Sequence, residues 1–246
     1  MNMTNTYKIA KRNVTISSLH DEVHRLCANY FFPDSAPDFT VETTQTDIDF
    51  EREKSAREDE LEGIPIRQFS DGYLETLAVY RKIAEQMPDY DTILFHGSCV
   101  AVDGVGYLFT AKSGTGKSTH TRLWRELLGD RAVMVNDDKP LIRISDSGAV
   151  IYGTPWDGKH RLSTNIAVPL KALCILERAE LNTIRPVTMD EAYPMLLQQA
   201  YRPMDGMALR KTLTLIDRLA ASVSLWRLGC NREINAAQVA YDAMKG

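Results

Sequence analysis

Apolar positions recur along this chain with two periods, and the two periods divide it into elements. Residues 6–16 carry β-branched Ile9, Val14 and Ile16 among polar neighbours and predict a strand or hairpin. Ser18 followed by Glu22 predicts a helix start, with Leu19, Val23 and Leu26 on one face until Pro33 and Pro37 end it. Phe39 to Thr44 predicts a strand. Asp47 to Glu62 is charged and nearly free of large apolar residues, which predicts a solvated helix or a mobile connector, with a substrate-facing flap as the lesser alternative. Leu74, Leu77, Ala78, Ile83 and Met87 fall near one helical face over 71–87, which Pro88 and Asp89 stop. A domain boundary is expected there: 1–88 as a small α+β lobe, 89–246 as the core.

Past that boundary the period shortens. Two apolar runs, 92–102 and 105–109, flank Asp103-Gly104 and predict a hairpin. Leu123, Leu127 and Leu128 give the next stretch helical spacing, and Gly129 ends it. Ala132 to Val135 predicts a buried strand with Asn136-Asp137-Asp138 at its end. A hairpin over 141–152, a polar loop over 153–161 and a strand from Lys171 to Leu176 follow. Thr188 and Glu191 form a capping box opening a helix to about Gln199. A helix over 207–221, a strand over 223–228 and a helix over 233–244 close the chain.

Between the hairpin and its helix lies Ser113-Gly114-Thr115-Gly116-Lys117-Ser118-Thr119. Strand, glycine-rich loop and helix start form a phosphate cradle: successive backbone N–H groups surround anionic oxygens, and the helix points its positive end at them. Lys117 would reach the terminal phosphates of a nucleotide, and the Ser118 hydroxyl would hold Mg²⁺. Ala111 stands where such loops usually carry their first glycine, which works only if its φ is negative. Asp137 and Asp138, adjacent at a strand end, must diverge. One can therefore accept a substrate proton while the other serves the metal.

The chain has 246 residues, 44% hydrophobic and 25% charged, which fits one large domain or a core plus a smaller one and allows a real core. A net charge of −4 gives no basic field for nucleic acid. No apolar run approaches the roughly 20 residues that span a bilayer. Cys27, Cys99, Cys174 and Cys230 are widely spaced, without a C-x-x-C pair, and read as cytoplasmic thiols.

Four stretches in order carry a resemblance: His96-Gly97, Asp103-Gly104-Val105-Gly106, Ser113 to Ser118, and Val135-Asn136-Asp137-Asp138. Together they resemble the catalytic domain of the HPr kinase/phosphorylase family and, more distantly, the phosphoenolpyruvate carboxykinases that share its fold. The likeness is clear over about 50 residues and absent from 1–88. It implies an α/β fold, a mixed β-sheet P-loop core flanked by helices, with the small α+β lobe in front. It implies ATP and Mg²⁺ as cofactors and phosphoryl transfer to a hydroxyl, seryl above all, on a peptide, protein or small molecule. By this resemblance Asp137 is the base, His96 lies beside it and tunes it, Lys117 is catalytic, and Asp138 with Ser118 serves the metal.

Gly153-Thr154-Pro155-Trp156-Asp157-Gly158-Lys159 differs from the glycine-rich signature of HPr kinases. The sequence looks closer to the HPr-kinase-like enzymes of peptide tailoring, including lasso-peptide kinases. In this loop Trp156 could stack on the substrate, and Lys159 and Arg161 could pair with its phosphate or carboxylate. Two alternatives stay open: a nucleotide-binding regulator with no acceptor, and a true HPr kinase/phosphorylase. No nucleic-acid or membrane partner is expected, and self-association, which the family shows, is left open.

Overall fold

The computed structural model describes residues 2–158 and 160–246, so Lys159, expected near the substrate, lies outside the described residues. The chain divides into two compact units, Met1–Glu85 and Gln86–Gly246.

In the first unit, β1 (Met3–Ile9) and β2 (Arg12–Ser18) form an antiparallel hairpin. The turn places Ala10 and Lys11 at positive φ. Ser18 does not cap a helix as expected: it ends β2, buried, and Asp21 precedes a short α1 (Glu22–Leu26). β3 (Phe39–Glu42) then lies parallel to β2. The charged stretch is a helix, α2 (Gln45–Glu62), opened by a Thr44–Asp47 capping box and closed by Gly63 at φ 68°. It is less solvated than its composition suggests. Ile48, Glu51 and Asp59 are buried, and Arg81 on α3 (Asp71–Gln86) donates to Glu51 at 2.6 Å.

The second unit is a mixed sheet between two helical layers. Its strands are β4 (Thr92–Leu94), β5 (Ser98–Val102), β6 (Val105–Thr110), β7 (Ala132–Asn136), β8 (Leu141–Ser145), β9 (Gly148–Tyr152), β10 (Ala167–Arg178), β11 (Thr183–Pro186) and β12 (Ser224–Cys230). They pair in the order β4-β8-β9-β10-β6-β5-β7, with β12 also on β10 and β11 on β12. β10 joins two parts of the sheet. Its first residues pair antiparallel with β9, and its later ones run parallel to β6 and β12. That double use explains why it is longer than the apolar run 171–176 predicts.

Alternation along the central strands sorts the core into two faces. Leu108, Leu173 and Ile175 pack with α5 (Met189–Gln199) and α6 (Gly206–Ser222) through Leu196, Leu215 and Ile216. Tyr107, Phe109, Cys174 and Leu176 pack on the other side with Leu123 and Trp124 of α4 (Lys117–Leu128) and Ala237 and Ala240 of α7 (Ile234–Met244). The β5–β6 hairpin turns at Asp103 and Gly104, φ 51° and 81°, and delivers the chain from β6 straight into the glycine-rich loop and α4. Among the described residues no helix is long and apolar enough to cross a membrane.

Candidate functional site

The loop 111–116 runs from β6, buried on both faces, to the first residue of α4, Lys117. Gly114 and Gly116 sit at φ 73° and 125°, where a side chain would be strained. Ala111 is buried and not among the residues at positive φ, so alanine is tolerated where a glycine was expected. Its carbonyl accepts from Lys117 Nζ at 3.3 Å. Burial pushes the Lys117 ammonium down, against the pull of Asp138 and Asp137, so all three groups share one electrostatic neighbourhood.

Asp137 follows β7 and points at the start of α4. Its Oδ1 accepts from Ser98 Oγ at 2.7 Å, and it also takes a hydrogen bond from the Ser118 hydroxyl. Ser98 Oγ lies 2.8 Å from Thr121 Oγ1, one turn into α4. With the Ser98 proton committed to the carboxylate, Thr121 is the donor to Ser98. Burial pushes the Asp137 carboxyl above the usual range, offset in part by these hydroxyls and by the charge of His160.

Asp138 is tuned the other way. Burial alone would raise it. The hydrogen bond from His96, with Lys139, His96 and Lys117 as nearby positive groups, outweighs burial and holds it below the usual range. His96 Nε2 is 3.4 Å from Asp138 Oδ1, and both side chains are about one-third exposed, 37% and 31%. This corrects the expected pairing of His96 with Asp137, and the reason lies in two backbone features. His96 is not on a strand: β4 stops at Leu94, and the His96 N–H goes to the Gln199 carbonyl at 2.8 Å, at the end of α5. On the other side, Asn136 Oδ1 accepts from the N–H of Asp138 at 2.9 Å and of Lys139 at 2.7 Å. That tight turn swings Asp138 away from Ser118 and towards His96.

The 153–161 loop folds over the same turn. Buried Asn136 donates from Nδ2 to Thr154 Oγ1 at 3.0 Å and to the Trp156 carbonyl at 3.4 Å, and Thr154 Oγ1 donates to the Lys139 carbonyl at 2.9 Å. Gly158 comes so near that a Cβ there would stand 3.2 Å from that of Asp138. Trp156 is 5% exposed, which corrects the expectation that it stacks on a substrate: its indole anchors the loop. Arg161 is exposed at φ 51° and reaches Asp157 at 3.5 Å. The structure therefore brings Ser113 to Thr119, Asp137, Asp138 and His96 together and puts the loop tip beside them.

Ser98 and Thr121 escaped sequence reading, and Asn136 and Thr154 stand in stretches the sequence singles out but without a role of their own. A small polar residue inside an apolar run, or one helical turn past Lys117, does not say what it will touch. Arg178, at the end of β10, is another: its guanidinium donates to the Gly114 and Thr115 carbonyls and braces the loop from the side opposite Asp137.

A mixed α/β unit with a braced glycine-rich loop facing two differently tuned aspartates is the class this geometry defines. Residues 71–221 match the family model described as SynChlorMet cassette protein ScmC, and that span exceeds half the chain. The chain belongs to this family. No curated protein matches it. Among solved structures, the HPr(Ser) kinase/phosphatase from Coxiella burnetii is similar over 51% of this chain and 96% of its own, at 15% identity and a TM-score of 0.28.

Proposed function

We propose that this protein is an ATP- and Mg²⁺-dependent phosphotransferase that phosphorylates a hydroxyl, of the seryl type, on a peptide, protein or small molecule. One observation carries the reading: two adjacent carboxylates, one tuned up and one down, both stand at the lysine-bearing helix start behind a phosphate-shaped loop. The residues fit the cofactors. The N–H groups of 113–119 and Lys117 suit phosphate oxygens, and Ser118 with Asp137 offers the hydroxyl and carboxylate oxygens a hard cation prefers. The bound metal would neutralise charge on the transferring phosphoryl group.

In this assignment the aspartate roles expected from the resemblance are exchanged. Asp137 already shares a hydrogen bond with Ser118 and is 7% exposed, so it serves the metal. Asp138 is the more open and acts as base. Its Oδ1 faces His96, and its Oδ2, with Lys139 Nζ 4.0 Å away, lies beneath the loop tip at Gly158 and would receive the acceptor's proton. Arg161, exposed at that tip, would meet an anionic group of the acceptor. The four cysteines are free thiols, three of them buried, which fits the reducing cytoplasm.

The test is phosphoryl transfer from ATP to hydroxyl-bearing products of the same cassette. Lys117→Ala should lower it by roughly 10²- to 10³-fold while the far-UV spectrum and melting stay unchanged. Wild-type turnover in that folded variant rejects the assignment. ATP binding without turnover on any acceptor would favour the regulatory alternative.

A further inference from the structure

Three backbone lines run side by side next to the Asp138 turn, with residues 94–97 in the middle. On one flank the N–H groups of Phe95 and Gly97 donate to the Pro140 and Asp138 carbonyls at 3.1 and 3.0 Å. On the other flank the N–H of His96 donates to the Gln199 carbonyl at 2.8 Å and that of Tyr201 to the Leu94 carbonyl at 2.9 Å, while Phe95 is bridged to Ala200. That bridge is antiparallel, so His96 stands directly opposite Gln199, and residues opposite each other send their side chains to one face. Gln199 therefore belongs to the face on which His96 meets Asp138.

Gln199 is 7% exposed, and its Oε1 is buried with no hydrogen-bond donor among the described residues. A buried acceptor left without a donor is costly, and a donor brought by a ligand removes the cost. The chain beyond it is held in place. Tyr201 is bonded to Leu94, Pro203 is buried, and Asp205 Oδ1 caps α6 by accepting from the N–H groups of Met207 at 3.0 Å and Ala208 at 2.8 Å. From this frame Met204 and Met207 stand 81% and 65% exposed. Arg202 and Arg210 are exposed too, and neither guanidinium has an ion-pair partner among the described residues. Asp205 is the one carboxylate in 199–210, and it is committed to the cap, so this ledge is basic and apolar.

We propose that residues 199–207 are the ledge on which the acceptor docks, and that the acceptor is a peptide segment with an acidic side chain a few residues from the accepted hydroxyl. The proposal rests on the phosphotransferase reading above and adds the class of its substrate. A backbone N–H beside the accepted residue donates to Gln199 Oε1, and every residue of a peptide except proline supplies such a donor. Arg202 takes the acidic side chain: a basic surface selects an anion, and a guanidinium holds a carboxylate by two parallel hydrogen bonds. Met204 and Met207 meet apolar neighbours of varied shape, because an unbranched thioether adapts to what it touches. The spacing follows from the backbone lines. Adjacent lines lie about 4.8 Å apart, so two spacings set Gln199 about 10 Å from the Asp138 turn. Arg202 lies three residues further on. That places the acidic side chain about three to five residues from the hydroxyl in an extended peptide, at about 3.3 Å per residue.

The test uses the full-length protein, Mg·ATP and short synthetic peptides with a central serine in an alanine and glycine background, in which one aspartate is walked outward on either side. KM should be lowest with the aspartate about three to five residues from the serine on one side, by about tenfold or more against the peptide without it. Arg202→Ala should raise KM for that peptide about 10- to 100-fold and leave kcat within about twofold. Arg202→Glu should move the preference to a lysine at the same place. Gln199→Met should raise KM about three- to tenfold for every peptide and melt no lower than the wild type, because it removes a buried group that has no partner. An aspartate walk without a minimum, or an Arg202→Ala variant with wild-type KM, overturns the ledge. Failure to phosphorylate any peptide overturns it too; transfer to free serine in that case leaves the kinase reading standing. A wild-type protein that binds no Mg·ATP in calorimetry overturns the kinase reading beneath it.

Discussion

Asp137 and Asp138 differ by one position and end in different surroundings, one among hydroxyls, the other against an imidazole. Under the proposed roles, Asp138→Asn should cut phosphoryl transfer by about 10²-fold and leave Mg·ATP affinity near wild type, since binding does not need a base. Asp137→Asn should instead raise the Mg²⁺ midpoint. Metal titration and transfer assays on both variants separate these, and the reverse pattern would restore the roles the resemblance implied. His96→Ala has a pH signature. The His96 hydrogen bond helps hold the Asp138 pKa down against burial. Without it that pKa rises, less carboxylate is ionised at a given acidic pH, and the acid limb of the pH–rate profile should move to higher pH. An unmoved limb would show that His96 does not act through Asp138. That these three residues would lie near one another was legible in the sequence. Their pairing was not, because it depends on where β4 stops and on the turn that Asn136 makes with its own side chain.

Helices and hairpins with strong periodicity stand where their patterns put them: α3, α4, α5 and the Asp103-Gly104 hairpin all do. Elements whose form depends on distant partners were harder to read. β11 is four half-polar residues that exist as a strand because β12 offers an edge. The loop from 153 has no period at all, and its shape comes from packing. Gly153 shows how tightly. A Cβ there would lie 1.9 Å from the Thr164 carbonyl oxygen and 2.7 Å from that of Val135. Gly153→Ala should therefore lower the melting temperature by several degrees, as overpacking against backbone does. A variant melting with the wild type would mean that the loop yields freely. Asn136→Ala should cost roughly 1–3 kcal/mol in chemical denaturation, because buried N–H groups of the turn lose their acceptor.

At the scale of the whole molecule, all three tryptophans, Trp124, Trp156 and Trp226, belong to the second unit. Intrinsic fluorescence therefore follows Gln86–Gly246 selectively. Mg·ATP at about 100 times Kd should stabilise the transition seen by tryptophan by about 2.7 kcal/mol. A melt unmoved by saturating nucleotide would contradict binding at the loop. The length left one large domain or a core plus a smaller one open, and the charge balance gave no reason to expect a nucleic-acid partner. Neither could show that β10 would join both parts of one sheet, a property of strand order that no local pattern encodes.

Asn136 ties the end of β7 to Thr154 and Trp156, so the inner half of the loop and the aspartate turn form one rigid piece. The outer half, around Arg161, hangs from it exposed. Mutational drift can then work on the outer half alone. On the proposed reading, a descendant chain could exchange one acceptor for another at its rim while inheriting the reacting geometry intact, and a library randomised at 161–162, sparing the His160 charge that acts on Asp137, should yield altered acceptor preference far more often than dead protein.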